Sequence, residues 1–131
     1  MFTTPLIEER VINLRSTYKL IEPLQWSDRL YTIDVPVGFL YDGASVPWIV
    51  TRLVPRKGGF YDRAACLHDW LYGTHLLPRK EADRLFYKAM LSDNVPKWKA
   101  YMIYRAVRVG GSSSYNGKTE AHVSKLRKLS V

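Results

Sequence analysis

His68, Asp69 and Tyr72 fall within one turn of the segment Ala64-Ala65-Cys66-Leu67-His68-Asp69-Trp70-Leu71-Tyr72, and their side chains are of the types that move protons and hold cations. On a helix, His68 and Tyr72 are four apart and share a face, while Asp69 points about 100° away. The stretch from Gly73 to Leu77 is short, so a helix after it runs antiparallel to the first, with positions whose numbers sum to about 151 lying level. That sets Tyr72 beside Arg79, His68 beside Asp83, and small Ala65 beside large Phe86. A hydrogen bond between His68 and Asp83 is therefore expected. A carboxylate on one imidazole nitrogen fixes the tautomer and raises the basicity of the ring, leaving the other nitrogen to take a proton from water. Asp69 is placed to hold a hard cation, Ca2+ or another divalent ion, together with oxygens from the Asp42-Gly43 corner. In this reading His68 is a general base, Asp83 its orienter, Tyr72 a supporting hydrogen bonder, and Asp69 and Asp42 metal ligands. The reaction is attack of water on an ester or a similar bond.

The same residues also have structural roles. His–Asp pairs on facing helices satisfy one another inside cores without any turnover. Trp70 and Tyr72 fit as packing aromatics, and Cys66 as a small buried hydrophobe. Asp42 suits a turn, Ser45 a helix N-cap, and Arg79 a salt bridge along its helix. Ser45 has no neighbouring base in sequence and is not read as a nucleophile.

The elements needed to position this cluster give an α+β class. An N-terminal β-hairpin or small antiparallel sheet packs on a short helix and three C-terminal helices, followed by a basic tail. Thr17–Ile21 reads as a strand ending at Pro23, and Pro23–Asp28 as a polar turn. From Tyr31 to Tyr41 the odd positions are apolar, with Thr32 and Asp34 between them, as in a half-buried strand that bends at Pro36 and Gly38. Asp42-Gly43 marks a turn, and a short helix begins near Pro47 and ends before Pro55. Three helices follow: Tyr61–Tyr72, stopped by Gly73; Pro78–Leu91, with an apolar stripe of Leu85, Phe86, Ala89 and Met90; and Lys97–Val109, with Trp98, Met102, Ala106 and Val109 on one face. Gly110-Gly111-Ser112-Ser113-Ser114 reads as a linker. The organisation is one domain over residues 1–110 and a Gly/Ser-led basic tail over 111–131.

With 131 residues, 47% of them hydrophobic, the chain can bury one core. Its apolar runs fall far short of the roughly 20 residues that span a bilayer, and Met1-Phe2-Thr3-Thr4-Pro5 lacks the layout of a secretion signal. A single cysteine, Cys66, excludes an internal disulfide framework and a multi-cysteine zinc site. Twenty Lys and Arg stand against 12 Asp and Glu, a formal charge of +8. A chain this basic meets nucleic acid, an acidic membrane face or an acidic protein. Lys118, Lys125, Arg127 and Lys128, against Glu120, place +3 (4 − 1) of that excess in the tail and leave +5 for the preceding residues.

The motifs Gly38-Phe39, Tyr41-Asp42-Gly43-Ala44-Ser45-Val46-Pro47, Ala64 to Tyr72, Arg79, Ala82-Asp83, Phe86, Ala89-Met90 and Tyr104-Arg105-Ala106-Val107-Arg108 resemble a family of small phage and prophage proteins carried as a domain of unknown function. That resemblance implies a bacteriophage origin, synthesis in the host cytoplasm, residence in the virion and other phage structural proteins as partners. Locally, His68-Asp69-Trp70-Leu71-Tyr72 is also similar to the His-Asp-x-x-Tyr helix of calcium-dependent secreted phospholipases, which face it with a further Asp. This implies His68 as base, Asp69 as calcium ligand, Tyr72 as supporting tyrosine, Asp83 as second carboxylate, and host envelope lipid as substrate. The chain lacks their disulfides and their glycine- and cysteine-rich calcium loop, and has Asp42-Gly43-Ala44 in its place.

Three functional expectations follow. The first is a particle component or assembly protein of the tail or baseplate region, with the His68 cluster as a polar core. The second is a cation-dependent hydrolase of lipid or cell-envelope material. The third is a nucleic-acid-binding protein that uses Lys97, Tyr101, Arg105 and Arg108 on the third helix together with the basic tail.

Overall fold

The computed structural model describes residues 1–10, 18–41, 62–112 and 115. The short helix expected from Pro47, Asp42 and Ser45 lie outside the described residues. Within them the class is α+β, with five short strands preceding three helices: β1 (Glu8–Arg10), β2 (Tyr18–Leu20), β3 (Leu24–Ser27), β4 (Thr32–Val35), β5 (Leu40–Tyr41), α1 (Asp62–Thr74), α2 (Arg79–Ser92) and α3 (Lys97–Gly110). None of these helices is long and apolar enough to cross a membrane.

The strands form two antiparallel sheets. One has the order β1-β2-β5, with Glu9 opposite Lys19 and Lys19 opposite Leu40; the other pairs β3 with β4, placing Trp26 opposite Ile33. The segment Pro23–Asp28, expected as a turn, is instead mostly strand β3. Its side chains alternate strictly: Leu24 and Trp26 are buried while Gln25 and Ser27 are half-buried on the other face, which is the period of two that a half-buried strand needs. The reversal comes later, where Asp28 Oδ1 accepts hydrogen bonds from the backbone N–H groups of Leu30 (2.8 Å) and Tyr31 (2.7 Å). These bonds, with one from Trp26 Nε1, overcome the effect of burial and hold the Asp28 carboxyl down at about 2.

The bend expected at Pro36 and Gly38 is present and carries the chain from one sheet to the other. Gly38 adopts φ 90°, a conformation open to glycine, while its N–H reaches Leu20 O at 2.7 Å. Ile33, Val35, Phe39 and Tyr41 are buried as the alternation required, with Thr32 and Asp34 outside; Val37, at the bend, is exposed.

Helix α1 is the most deeply buried of the three helices. Ten of its thirteen residues are buried, so it has no wet face and no narrow apolar stripe. It does not stop at Gly73, which is helical and buried. The left-handed position falls at His75 (φ 53°), whose N–H bonds Leu71 O, and Thr74 Oγ1 ties back to Trp70 O at 2.8 Å. Helix α2 begins after Pro78 and buries Leu85, Phe86, Ala89 and Met90 as expected. Helix α3 departs from expectation. It buries Ala100, Ile103 and Val107, whereas Trp98, Met102 and Val109 are exposed and Ala106 is only half-buried. With about 100° per residue, Arg105 lies about 20° beyond Trp98 at the edge of the arc spanned by Trp98, Met102 and Val109, and burying that arc would partly desolvate its charge. The arc of Ala100, Ile103 and Val107 contains no charged side chain.

Candidate functional site

Asp83, on α2, is the centre of a buried polar cluster that draws on all three helices. Its Oδ1 faces α1 and takes hydrogen bonds from His68 Nε2 at 2.7 Å and Tyr72 Oη at 2.5 Å. Its Oδ2 faces α3 and takes one from Arg108 Nη1 at 2.8 Å, with Arg79 Nη1 at 3.5 Å. Arg79 also lies 3.4 Å from the carbonyl oxygens of Val107 and Arg108, where a cation complements the C-terminal end of α3. The hydrogen bond expected between His68 and Asp83 is thus present, and the antiparallel register of α1 and α2 that placed it holds.

Burial alone would raise the Asp83 carboxyl. The hydrogen bonds from His68 and Tyr72, with the positive side chains beside it, outweigh that and hold it below the usual carboxylate range. Asp83 is therefore an anion with both oxygens accepting, so Tyr72 donates from its hydroxyl and His68 from Nε2. Burial, then the adjacent anion, raises the Tyr72 phenol above its ordinary value and keeps it a donor.

The cluster is closed over. His68, Tyr72 and Asp83 are all 0% exposed. Phe86 stacks on the His68 ring with centroids 4.4 Å apart, and Tyr72 leans on it at 4.1 Å. From the far side, Tyr115 meets Tyr72 edge-on at 5.1 Å, stacks on His75 at 4.0 Å and bonds Leu77 O. Gly111, read from the sequence as part of a linker, is buried and caps α3 through a 2.7 Å bond to Val107 O. A Cβ at this position would lie 2.5 Å from Val107 O and 2.8 Å from Tyr72 Oη, so only glycine fits.

Of the proposed cation ligands, Asp69 is buried at 9% exposure on the next position of α1, and Asp42 lies outside the described residues. Among the described residues no group of three or more His, Cys, Asp or Glu side chains is disposed to hold a metal ion. Arg108, assigned to an outward basic face, turns inward to Asp83 and is corrected to a cluster residue; Lys97, Tyr101 and Arg105 remain exposed. The register rule could have found Arg108. The connection from α2 to α3 is as short as the one before it, and positions summing to about 191 then lie level, which pairs Asp83 with Arg108 and Tyr87 with Tyr104. The Tyr87 and Tyr104 rings are 5.4 Å apart. Gly111 and Tyr115 carry no comparable sequence signal.

Comparison with known proteins gives relatives without assigned activities. The chain is similar to two curated proteins of Sinorhizobium fredii (strain NBRC 101917 / NGR234). It is 40% identical to the uncharacterized protein y4iH over 72 residues, 53% of this chain and 30% of that protein. It is 35% identical to the uncharacterized protein y4jT over 79 residues, 59% of this chain and 23% of that protein. The chain therefore spans less than a third of either relative's length. No solved structure matches it. The family model described as "Protein of unknown function (DUF1353)" matches residues 18–107, from β2 to the last turn of α3, and the chain belongs to that family.

Proposed function

We propose that this chain is a structural or assembly component of a bacteriophage particle, in the tail or baseplate region, with the Asp83 cluster as its rigid polar core. The observation that carries the structural half of this reading is the complete enclosure of His68, Tyr72 and Asp83, with donors from three helices on both oxygens of one carboxylate. A general base must come within hydrogen-bond reach of the proton it removes. A ring with no exposed surface, stacked on Phe86, serves packing and orientation instead. The phage half rests on the resemblance of the Asp42-to-Pro47, Ala64-to-Tyr72 and Ala82-Asp83 motifs to small phage and prophage proteins, and carries with it synthesis in the host cytoplasm and partners among the other structural proteins. Mass spectrometry of purified particles from the phage or prophage that encodes the chain tests it. The chain should be present at a fixed ratio to known tail proteins, and its absence from intact particles overturns the reading.

The His68–Asp83–Tyr72 hydrogen bonds favour a second reading, a cation-dependent hydrolase of envelope lipid. Its test is turnover of phospholipid vesicles by the purified chain with and without Ca2+. Activity that disappears in His68→Gln, while the variant keeps its circular dichroism spectrum, would replace the first reading with the second.

A further inference from the structure

Helix α3 turns two large aromatic side chains outward on neighbouring positions. Trp98 is 62% exposed and Tyr101 is 53% exposed. Three residues apart, they are adjacent on the helix surface, with about 4.5 Å between them along the axis. Lys97 and Arg105 are exposed on either side of the pair, and the Lys99 ammonium lies 5.5 Å from the centre of the Trp98 ring. Toward α2 the aromatic surface continues through half-buried Tyr104 and Tyr87, with Tyr101 centred 6.5 Å from Tyr104 and 6.4 Å from Tyr87. The helix has no Asp or Glu along its length. Cations interleaved with outward-facing rings, and no carboxylate among them, form one continuous face.

Charge and shape select the occupant of this face. A second copy of the chain would set Lys97, Lys99 and Arg105 against like charges. An acidic protein surface would answer the cations but offers no regular supply of flat partners for Trp98 and Tyr101. A single strand of nucleic acid presents one anion and one π-face per nucleotide, which matches both features. We infer that the α3 face built on Trp98, Tyr101 and Arg105 binds single-stranded nucleic acid, with bases stacking on the two rings and phosphates held by Lys97, Lys99 and Arg105. Stacking on rings tolerates any base, so the site is indifferent to sequence. The inference is independent of the particle reading and survives its failure.

The test uses the full-length chain and a fluorescently labelled oligothymidylate, followed by anisotropy and by tryptophan emission. Binding should quench tryptophan emission and weaken with salt, with a log–log slope of about −2 if three phosphates are engaged. Trp98→Ala and Tyr101→Ala should each weaken binding by about tenfold, and Trp98→Ala should abolish the quenching. Trp98→Phe, which keeps a stacking ring, should retain most of the affinity. Arg105→Glu should weaken binding and flatten the salt slope. Both aromatic side chains are outside the core, so thermal midpoints should not move. The inference is overturned by any of four results: no binding at low salt; equal binding by the Trp98→Ala/Tyr101→Ala double variant, which would assign the affinity to the basic C-terminal residues; duplex DNA binding as tightly as the single strand; or polyglutamate competing with the same dependence on Trp98, which would point to an acidic protein.

Discussion

Replacing Asp83 with Asn keeps the shape of the side chain and removes the charge on which the cluster depends. One oxygen becomes an NH2 group, so the amide must present donors either to His68 and Tyr72 or to Arg108 and Arg79, and in both cases donors face donors. Removing one partner of a buried ion pair costs about 3–5 kcal/mol. The Arg108 and Arg79 side chains keep 29% and 22% exposure, so water relieves part of their loss, and the expected cost is near the lower end, about 3 kcal/mol. For a chain of 131 residues this corresponds to a fall in Tm of roughly 10 °C. Urea unfolding followed by circular dichroism should show a lower midpoint with an unchanged slope. The pH dependence identifies the cause. The folded-state pKa of Asp83 is depressed, so its contribution is complete above the unfolded value of about 3.9 and is lost as pH falls through the lower folded value. The stability gap between wild type and Asp83→Asn should therefore be constant near neutrality and narrow as pH drops below about 4. A gap under about 1 kcal/mol at pH 7, or one that does not narrow in acid, would refute the placement of a buried, ionised carboxylate at the centre of the three helices.

Three further outcomes are expected. Tyr72→Phe removes one donor to a charged acceptor and should cost about 1.5–3 kcal/mol in denaturant unfolding; a loss below 0.5 kcal/mol would show that the hydroxyl is dispensable. Gly111→Ala should cost about 1–3 kcal/mol, because its methyl group meets Val107 O and Tyr72 Oη, and an unchanged Tm would contradict the close packing there. Burial first, and then neighbouring Asp62, raises Glu8 to about 7, so the folded state holds its proton more tightly than the unfolded chain and stability should decline as pH rises from about 4.5 to about 7. Glu8→Gln should flatten that decline, and an identical pH profile for the variant would dismiss the raised carboxyl.

The helical half of the fold was legible because it follows local rules. Proline starts α2 and α3, the apolar spacing of α2 is unambiguous, and the short connection between α1 and α2 fixes an antiparallel register that is accurate enough to place His68 on Asp83. Where the sequence misled, two signals competed and the stronger-looking one lost. Pro23, Gln25, Ser27 and Asp28 suggest a turn by composition, but Leu24 and Trp26 alternate into the core, and burial of a tryptophan outweighs the preference of its polar neighbours. On α3 the larger residues Trp98, Met102 and Val109 suggested the buried face, yet small Ala100 with Ile103 and Val107 allows closer helix packing without enclosing Arg105. Gly73 looked like a stop signal and proved to be a buried helical position. The closing of the cluster by Gly111 and Tyr115 was not legible, since it depends on where the chain travels after α3 and on contacts some forty residues apart in sequence.

The Asp83 cluster and the outer face of α3 are mechanically linked. A helix packed through only Ala100, Ile103 and Val107 has a narrow apolar seam, and such a seam by itself fixes rotation about the helix axis weakly. Arg108 sits at the flank of that seam, and its bond to Asp83 Oδ2 favours one rotation, because a turn of α3 by one residue position would withdraw the guanidinium and leave a buried anion short of its partner on α3. The rotation that satisfies Asp83 is also the one that points Trp98, Tyr101 and Arg105 outward together. In some proteins a buried polar network selects one packing arrangement, and such a role would account for a His–Asp–Tyr–Arg constellation with no exposed surface at His68. On the structural reading proposed above, the residues that resemble a catalytic helix have a task that requires no substrate: they hold α2 and α3 in the orientation that presents the aromatic and basic face.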